Sequence, residues 1–149
     1  MKIAIASDHA GYNKKEDIKR MLLKEKIEII DCGTDSNKST DFPVYAEKLG
    51  EKVLKKEVDF GIALCKTGIG MSIALNKITG IMCAKVSNKE EAKLTKEHNH
   101  ANVLAINSSI SIRKIKNMLK AYINAKELTD EKYLRRIEQI RTLEAKHEL

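Results

Sequence analysis

Aromatic residues are scarce in this chain: they make up 4% of its 149 residues, and tryptophan is absent. A surface that binds nucleic acid combines a dense basic patch with aromatic side chains that stack on bases. The formal net charge of +7 comes mostly from lysines spread along the chain. We therefore interpret it as a solvated, lysine-rich surface. That surface argues against a nucleic-acid partner and is compatible with an anionic small-molecule substrate.

Long apolar runs are also missing. No stretch approaches the roughly 20 residues that span a bilayer, and the apolar part of residues 1–8 is too short for a signal peptide. The three cysteines are an odd number without a Cys-x-x-Cys pair, which disfavours disulfides and fits a reducing compartment. We expect a cytoplasmic protein that does not contact a membrane.

Short apolar segments alternate with amphipathic helical ones, an order typical of a doubly wound α/β fold with a parallel sheet. The predicted strands cover residues 2–7, 27–30, 58–64, 80–86 and 101–106. The predicted helices cover residues 13–26, 70–77, 88–97 and 112–128, and a further helix begins near Pro43. We predict one domain over residues 1–149, with a five-stranded, flavodoxin-like (Rossmann-type) sheet between two helical layers.

A C-terminal helix is predicted at about residues 130–147, where apolar side chains recur at helical spacing. The stripe consists of Leu134, Ile137, Ile140 and Leu143. Two interpretations remain open at this point. The helix packs on its own domain, or it docks on a partner subunit, since many soluble proteins are symmetric dimers.

Residues 59–74 carry the densest chemical signal. An apolar strand ends at Cys65, a glycine-punctuated turn with hydroxyl groups follows, and a helix then begins. Free backbone N–H groups and the positive end of the helix dipole converge at such a junction, which favours an anion site. Cys65 is either a reactive thiolate at the edge of that site or a small buried hydrophobe that ends the strand.

The predicted topology gives Cys65 its neighbours. In open α/β sheets the ligand lies beyond the carboxyl ends of the strands, where the strand order reverses. In a flavodoxin-like order that point separates strands one and three. Strand one ends in Asp8 and His9, so an acid and an imidazole join the thiol and Thr67. The helix after strand four ends near His98, which we expect at the same rim.

Several familiar loops are excluded. The P-loop signature is absent, and the Gly68-Ile69-Gly70 turn lacks the third glycine of a dinucleotide fingerprint. A cysteine phosphatase needs an arginine where this chain has Met71, because the planar guanidinium clamps phosphate oxygens. The two-residue spacing of His98 and His100, without a cysteine or carboxylate pattern beside it, predicts no metal site.

With these residues assembled, the chain resembles the type B ribose-5-phosphate isomerase family, which includes the galactose-6-phosphate isomerase subunits. The resemblance covers nearly the whole chain and rests on ordered motifs that are weak singly and specific together. The motifs are Ser7-Asp8-His9-Ala10-Gly11, Asp31-Cys32-Gly33-Thr34, Thr40-Asp41-Phe42-Pro43, Cys65-Lys66-Thr67-Gly68-Ile69-Gly70-Met71-Ser72, Ala74-Leu75-Asn76-Lys77 and His98-Asn99-His100-Ala101-Asn102-Val103-Leu104-Ala105.

The resemblance implies an aldose–ketose isomerase without metal or cofactor. It also implies a homodimer or homotetramer, in which each site is completed by the partner chain. Cys65 would be the base that moves a proton between carbons 1 and 2, with Thr67 assisting, and His98 would help to open the furanose ring. The positions implied around the substrate are Asp8, His9, Asn99, Arg136 at the phosphate, and the backbone at Gly68, Ile69, Gly70 and Ser72 around the enediolate.

Four positions depart from the family's usual pattern. Lys66 replaces a glycine, Phe42 a tyrosine, and Ser109 and Lys132 replace arginines that bind phosphate. Lysine keeps the charge but lacks the bidentate fork. Lys66 either adds positive charge to the substrate site or is a solvent-facing lysine in a turn.

These departures leave the substrate open. The first hypothesis is an isomerase of ribose 5-phosphate and ribulose 5-phosphate. One alternative is an isomerase of a hexose 6-phosphate, such as allose or galactose 6-phosphate. The other is a homologue that binds sugar phosphates without catalysis.

Overall fold

The computed structural model of the protein describes residues 1–148. Its strands are β1 (Lys2–Ser7), β2 (Glu28–Asp31), β3 (Phe60–Cys65), β4 (Cys83–Lys85) and β5 (Val103–Asn107). Its helices are α1 (Tyr12–Lys24), α2 (Phe42–Leu54), α3 (Ile69–Leu75), α4 (Lys89–Leu94), α5 (Ile112–Asn124) and α6 (Glu131–Lys146). A π-helical turn, Thr95–Asn99, continues α4.

The strands form one parallel sheet in the order β2-β1-β3-β5-β4, which confirms the predicted fold class. A flavodoxin-like order would place β4 between β3 and β5, whereas here β5 is internal and β4 is an edge strand. The residues explain the exchange. Residues 103–106 of β5 are all buried, which suits an internal strand. β4 is three residues long and ends at the exposed Lys85, which suits an edge.

The two faces of the sheet carry side chains of different size. Large aliphatic side chains such as Ile3, Ile5 and Ile62 face α1, α4 and α5. Small side chains such as Ala4 and Ala63 face α2 and α3. Because short side chains allow a helix to approach the sheet closely, α2 and α3 lie directly against the strands that carry the candidate site.

The C-terminal helix α6 packs on its own chain through part of its apolar stripe. Ile137 is buried, and the Glu144 carboxylate accepts a hydrogen bond from the Gly80 N–H at 3.1 Å. The rest of the stripe stays largely exposed: Leu134 at 45%, Ile140 at 42% and Leu143 at 58%. Within residues 1–148, no helix is long and apolar enough to cross a membrane.

Candidate active site

The carboxyl ends of β1 and β3 form the centre of the candidate site. Ser7 pairs with Leu64 in the parallel ladder, and the Asp8 N–H donates to the Leu64 carbonyl at 3.3 Å. Adjacent strands lie about 4.8 Å apart. Asp8 and Cys65 therefore leave the sheet side by side, as the topology predicted.

The turn after β3 points a backbone donor at the cysteine. The Gly68 N–H lies 3.0 Å from the Cys65 Sγ, and Cys65 is only 5% exposed. Gly68 has a φ of +81°, and a Cβ there would lie 3.0 Å from the Ile106 carbonyl carbon. Glycine is thus required both for the backbone conformation and for the close approach. A backbone donor at this distance stabilises negative charge on the sulfur.

The other two cysteines have environments that keep them protonated. Burial raises the pKa of Cys83 to about 12, and burial together with the Asp31 charge raises the pKa of Cys32 to about 11. Neither competes with Cys65 as a base near neutral pH. The Ser72 hydroxyl lies beside the Cys83 thiol.

Two amides of the turn are available to a ligand. The Ile69 N–H donates to the Thr67 hydroxyl at 3.1 Å, and the Ser72 N–H donates to a main-chain carbonyl within the turn at 3.1 Å. Among residues 1–148, the amides of Gly70 and Met71 find no acceptor. Adjacent unpaired N–H groups beside a thiol suit an oxyanion that develops near the base. The resemblance implies the backbone from Gly68 to Ser72 around the enediolate. Within that stretch, the amides of Gly70 and Met71 are the ones without an acceptor among residues 1–148.

Asp8 and His9 are held in place by backbone groups. Asp8 is 8% exposed, and its carboxylate accepts the Gly11 N–H at 3.0 Å. The His9 Nδ1 lies 3.1 Å from the Thr40 nitrogen and 3.2 Å from the Thr40 oxygen. This nitrogen is therefore engaged, which leaves Nε2 as the polar atom that His9 can offer a ligand. Thr40 was not identified from the sequence as a partner of His9.

His98 lies at the amino ends of the strands, whereas Cys65 lies at their carboxyl ends. The prediction that the two side chains share one rim is therefore wrong within one chain. In the ladder between β3 and β5, Gly61 pairs with Val103 and Cys65 pairs with Asn107. The four-residue offset corresponds to about 13 Å along the strand. The π-helical turn that carries His98 precedes Val103 and therefore lies at the amino ends of the strands. The reason is the direction of α4. This helix starts at the carboxyl edge, meaning the side of the sheet formed by the carboxyl ends of the strands, and runs back toward their amino ends.

The remaining predicted residues lie around an aromatic stack at the amino edge, the side of the sheet formed by the amino ends of the strands. The His98 ring stacks on Tyr133, with centroids 4.5 Å apart and planes at 8°. The Lys132 Nζ lies 5.0 Å from the Tyr133 centroid. Arg136 follows one helical turn after Lys132 and is exposed, as is Asn99 at the end of the π-helical turn. Tyr133 was missed because nothing in its sequence context places it beside His98.

The family is shown by comparison with known proteins. A family model described as Ribose/Galactose Isomerase matches residues 3–140. The chain belongs to the ribose/galactose isomerase family.

Individual relatives within this family are similar over most of their length. Ribose-5-phosphate isomerase B of Escherichia coli is 38% identical over 144 residues, which is 96% of each chain. The galactose-6-phosphate isomerase subunit LacA of Clostridium acetobutylicum is 38% identical over 127 residues, covering 85% of this chain and 88% of the relative. The structure of Clostridium thermocellum ribose-5-phosphate isomerase B superposes with a TM-score of 0.94 at 38% identity, covering 99% of this chain and 100% of that one.

Two of the departures from the isomerase family's pattern lie close together in space. The Ser108 N–H donates to the Cys65 carbonyl at 3.1 Å, so the residues after β3 run beside those after β5. Lys66 is exposed there and makes no ion pair within residues 1–148. Ser109 donates its hydroxyl to Asn107 at 2.6 Å. Lys66 thus places a positive charge beside Ser109, the position at which the resemblance implies an arginine in relatives.

Within residues 1–148, no three side chains of the His, Cys, Asp or Glu type are grouped so that they could hold an ion.

Proposed function

We propose that this protein interconverts ribose 5-phosphate and ribulose 5-phosphate through an enediolate, with Cys65 as the base. The observation that carries the proposal is the Cys65 Sγ at the strand switch point, 3.0 Å from the Gly68 N–H and next to the buried Asp8. The similarity to the E. coli enzyme, named ribose-5-phosphate isomerase B, supports the choice of substrate.

The proposed reaction is a proton transfer between neighbouring carbons. In the aldose-to-ketose direction the Cys65 thiolate removes the proton from carbon 2, and the electron pair moves to the carbonyl oxygen to give an enediolate. The amides of Gly70 and Met71 stabilise that oxygen where its charge develops. The thiol then returns the proton to carbon 1. The Thr67 hydroxyl assists the accompanying proton movement between the two oxygens.

Asp8 and His9 contact the sugar at this carboxyl edge, the first through its carboxylate and the second through Nε2. Lys66, which directly follows Cys65, adds an exposed positive charge at the same carboxyl edge. Because Lys66 is exposed, its contribution to substrate affinity is small compared with that of a desolvated cation.

His98 and Asn99 act in the site of a second subunit. Ring opening needs an imidazole beside the ring oxygen of a sugar that also lies within hydrogen-bond distance, about 3 Å, of the base. Within one chain, His98 and Cys65 lie at opposite ends of the strands and cannot reach the same sugar. A two-fold dimer places the amino edge of one chain against the carboxyl edge of the other and completes both sites equally. Lys132 and Arg136 then bring two cations to the phosphate.

Exposed apolar side chains lie where such a dimer needs them. Ile69 and Ile73, next to the Cys65 turn, are 52% and 59% exposed. Leu134 and Leu143 on α6 are 45% and 58% exposed. Covering these side chains with a partner removes apolar surface from water at both edges, so the docking of α6 on a second subunit belongs to the same proposal. Whether two such dimers pair further into a homotetramer is a separate measurement.

A hexose 6-phosphate is the second candidate substrate, favoured by the similarity to the galactose-6-phosphate isomerase subunit LacA. The longer sugar places its phosphate farther from Cys65. Lys132 and Lys66 lack the bidentate geometry that would fix one phosphate position tightly.

Turnover on ribose 5-phosphate, allose 6-phosphate and galactose 6-phosphate tests the proposal. We expect the highest kcat/KM on ribose 5-phosphate, with deuterium from solvent entering carbon 1 or carbon 2. Preference for either hexose overturns the substrate assignment. Saturable binding without deuterium exchange overturns catalysis and identifies a binding homologue. We place the activity in the cytoplasm and in a single domain over residues 1–149.

A further inference from the structure

A lysine is completely buried beneath the candidate site. Lys15 on α1 is 0% exposed, and its ammonium lies 2.9 Å and 2.7 Å from the two carboxylate oxygens of Asp31 and 3.1 Å from Glu16. An isolated ammonium in such a position is strongly destabilising unless it is paired. No local pattern predicts this burial, because Lys15 falls among the charged positions of an amphipathic helix.

Asp31 links this lysine to the backbone beside β1. Its carboxylate also accepts the Gly33 N–H at 2.9 Å and a second ammonium, from Lys19, at 2.7 Å. Burial alone would raise the pKa of Asp31, but the bonds from Lys15 and Lys19 hold that pKa below its usual value. Asp31 is therefore an anion that fixes α1, the end of β2 and the following loop to one another.

The loop in turn fixes the end of β1. The Gly33 carbonyl accepts the Ser7 N–H at 2.7 Å, and the Thr34 N–H donates to the Ser7 carbonyl at 2.8 Å. Ser7 directly precedes Asp8 in the chain. A shift of Asp31 therefore passes through two backbone hydrogen bonds to the residue before Asp8.

The helix side of the ion pair reaches the site as well. The Lys15 N–H donates to the Gly11 carbonyl at 2.9 Å. Gly11 packs against β3, since a Cβ added to Gly11 would lie 3.0 Å from Leu64. The Gly11 N–H donates to the Asp8 carboxylate. The Lys15–Asp31 ion pair is thus connected to Asp8 by two routes, through the loop after β2 and through the start of α1.

We propose that Lys15 is a positioning residue, whose buried ion pair with Asp31 holds Asp8 and His9 in register beside Cys65. The inference rests on the proposed substrate contacts of Asp8 and His9. Lys15 is buried and would act on the site without contacting the substrate. Cys65 lies on β3 and is held by its own turn, so loosening the ion pair displaces one side of the site relative to the other.

The test compares Lys15→Met with Lys19→Met. Methionine keeps most of the apolar stem, and Lys19 is a matched control because it bonds the same Asp31 and Glu16 but has a side chain 25% exposed. Misplacement by about 1 Å costs up to about 100-fold in rate. We expect kcat/KM per folded site to fall about 10- to 100-fold in Lys15→Met, with KM rising, and to stay within about twofold in Lys19→Met.

Amide hydrogen exchange provides a readout that does not depend on turnover. In Lys15→Met we expect faster exchange at Ser7 and Thr34, with unchanged exchange at Leu104 on the internal strand and an unchanged rate of Cys65 alkylation by iodoacetamide. A merely structural role instead lowers the unfolding temperature, raises exchange evenly and leaves kcat/KM per folded site at the wild-type value; that result overturns the proposal.

Asp31→Asn keeps the inference testable if Lys15→Met does not fold. Asparagine can still accept the Gly33 N–H but loses the charge that pairs with Lys15. We expect about a tenfold loss in kcat/KM with the same local exchange pattern; a loss below twofold overturns the proposal. If the wild type turns over none of the three sugars, the proposed function fails, and local exchange alone decides the role of Lys15.

Discussion

The carboxyl edge of the sheet and its amino edge hold their polar side chains in different ways. Cys65 and Asp8 are 5% and 8% exposed, and each accepts a backbone N–H. His98 and Lys132 are more accessible and are arranged around the ring of Tyr133. The proposed base is thus preorganised within one chain, whereas the residues proposed for ring opening and phosphate binding lie on a surface that a partner could approach. The difference is what the proposed two-chain site requires, namely a buried half and an accessible half.

Removing the proposed base should have the largest effect. We expect Cys65→Ala to lower kcat by about 10⁴-fold, at the upper end of what one general base contributes. Sugar-phosphate binding and the fold should survive, because the Gly70 and Met71 amides do not depend on the sulfur. Cys32→Ala is the control, since burial keeps that thiol protonated, and it should retain turnover. Turnover by Cys65→Ala at the wild-type rate would reject Cys65 as the base.

Mixing damaged halves should restore activity. His98→Asn alone should lose about 10²-fold on the closed-ring substrate. A dimer assembled from one Cys65→Ala chain and one His98→Asn chain contains one intact site and one doubly damaged site. We therefore expect the tag-purified mixed dimer to recover about half of the wild-type activity. A mixed dimer as inactive as its parents would show that His98 and Cys65 of one chain serve the same site.

The contrast between the edges also shows how far the sequence could predict the molecule. The apolar and polar periodicity predicted each strand within a few residues, and the motif at Cys65 predicted its turn. The position of His98 was predicted wrongly, although helix direction alone places the end of α4 at the amino edge. The exchange of β4 and β5 had a signal in composition, because residues 103–106 of β5 are all apolar and β4 ends in lysine.

The burial of Lys15 could not be predicted. A lysine in an amphipathic helix is ordinarily solvated, and its burial depends on Asp31, which lies 16 residues farther along the chain on another element. The stack of Tyr133 on His98 likewise joins two elements whose contact depends on the path of the chain between α5 and α6. Both contacts are set by tertiary packing and leave no local pattern.

Phosphate affinity should depend on one arginine of α6 and not on its neighbour. Arg135 is paired with Glu131 at 3.2 Å, whereas Arg136 has no ion pair within residues 1–148. We expect Arg136→Lys to raise KM about tenfold with little change in kcat, because lysine loses the bidentate geometry for phosphate. Arg135→Lys should leave KM unchanged. Equal effects of the two substitutions would point to a general charge effect and away from a phosphate contact at Arg136.

The smallest effect should come from the aromatic ring that supports the amino edge. A parallel stack is worth about 0.5–1.5 kcal/mol beyond its buried area, which corresponds to about two- to tenfold in rate if it is lost. Tyr133→Leu should therefore reduce turnover of the closed-ring sugar by this factor, while Tyr133→Phe keeps the ring and should match the wild type. Because the ring acts on His98 and not on Cys65, an open-chain analogue should be turned over equally by both variants. A comparable loss on the open-chain analogue would mean that Tyr133 supports the assembly as a whole, and the two halves of the site would then be coupled through α6.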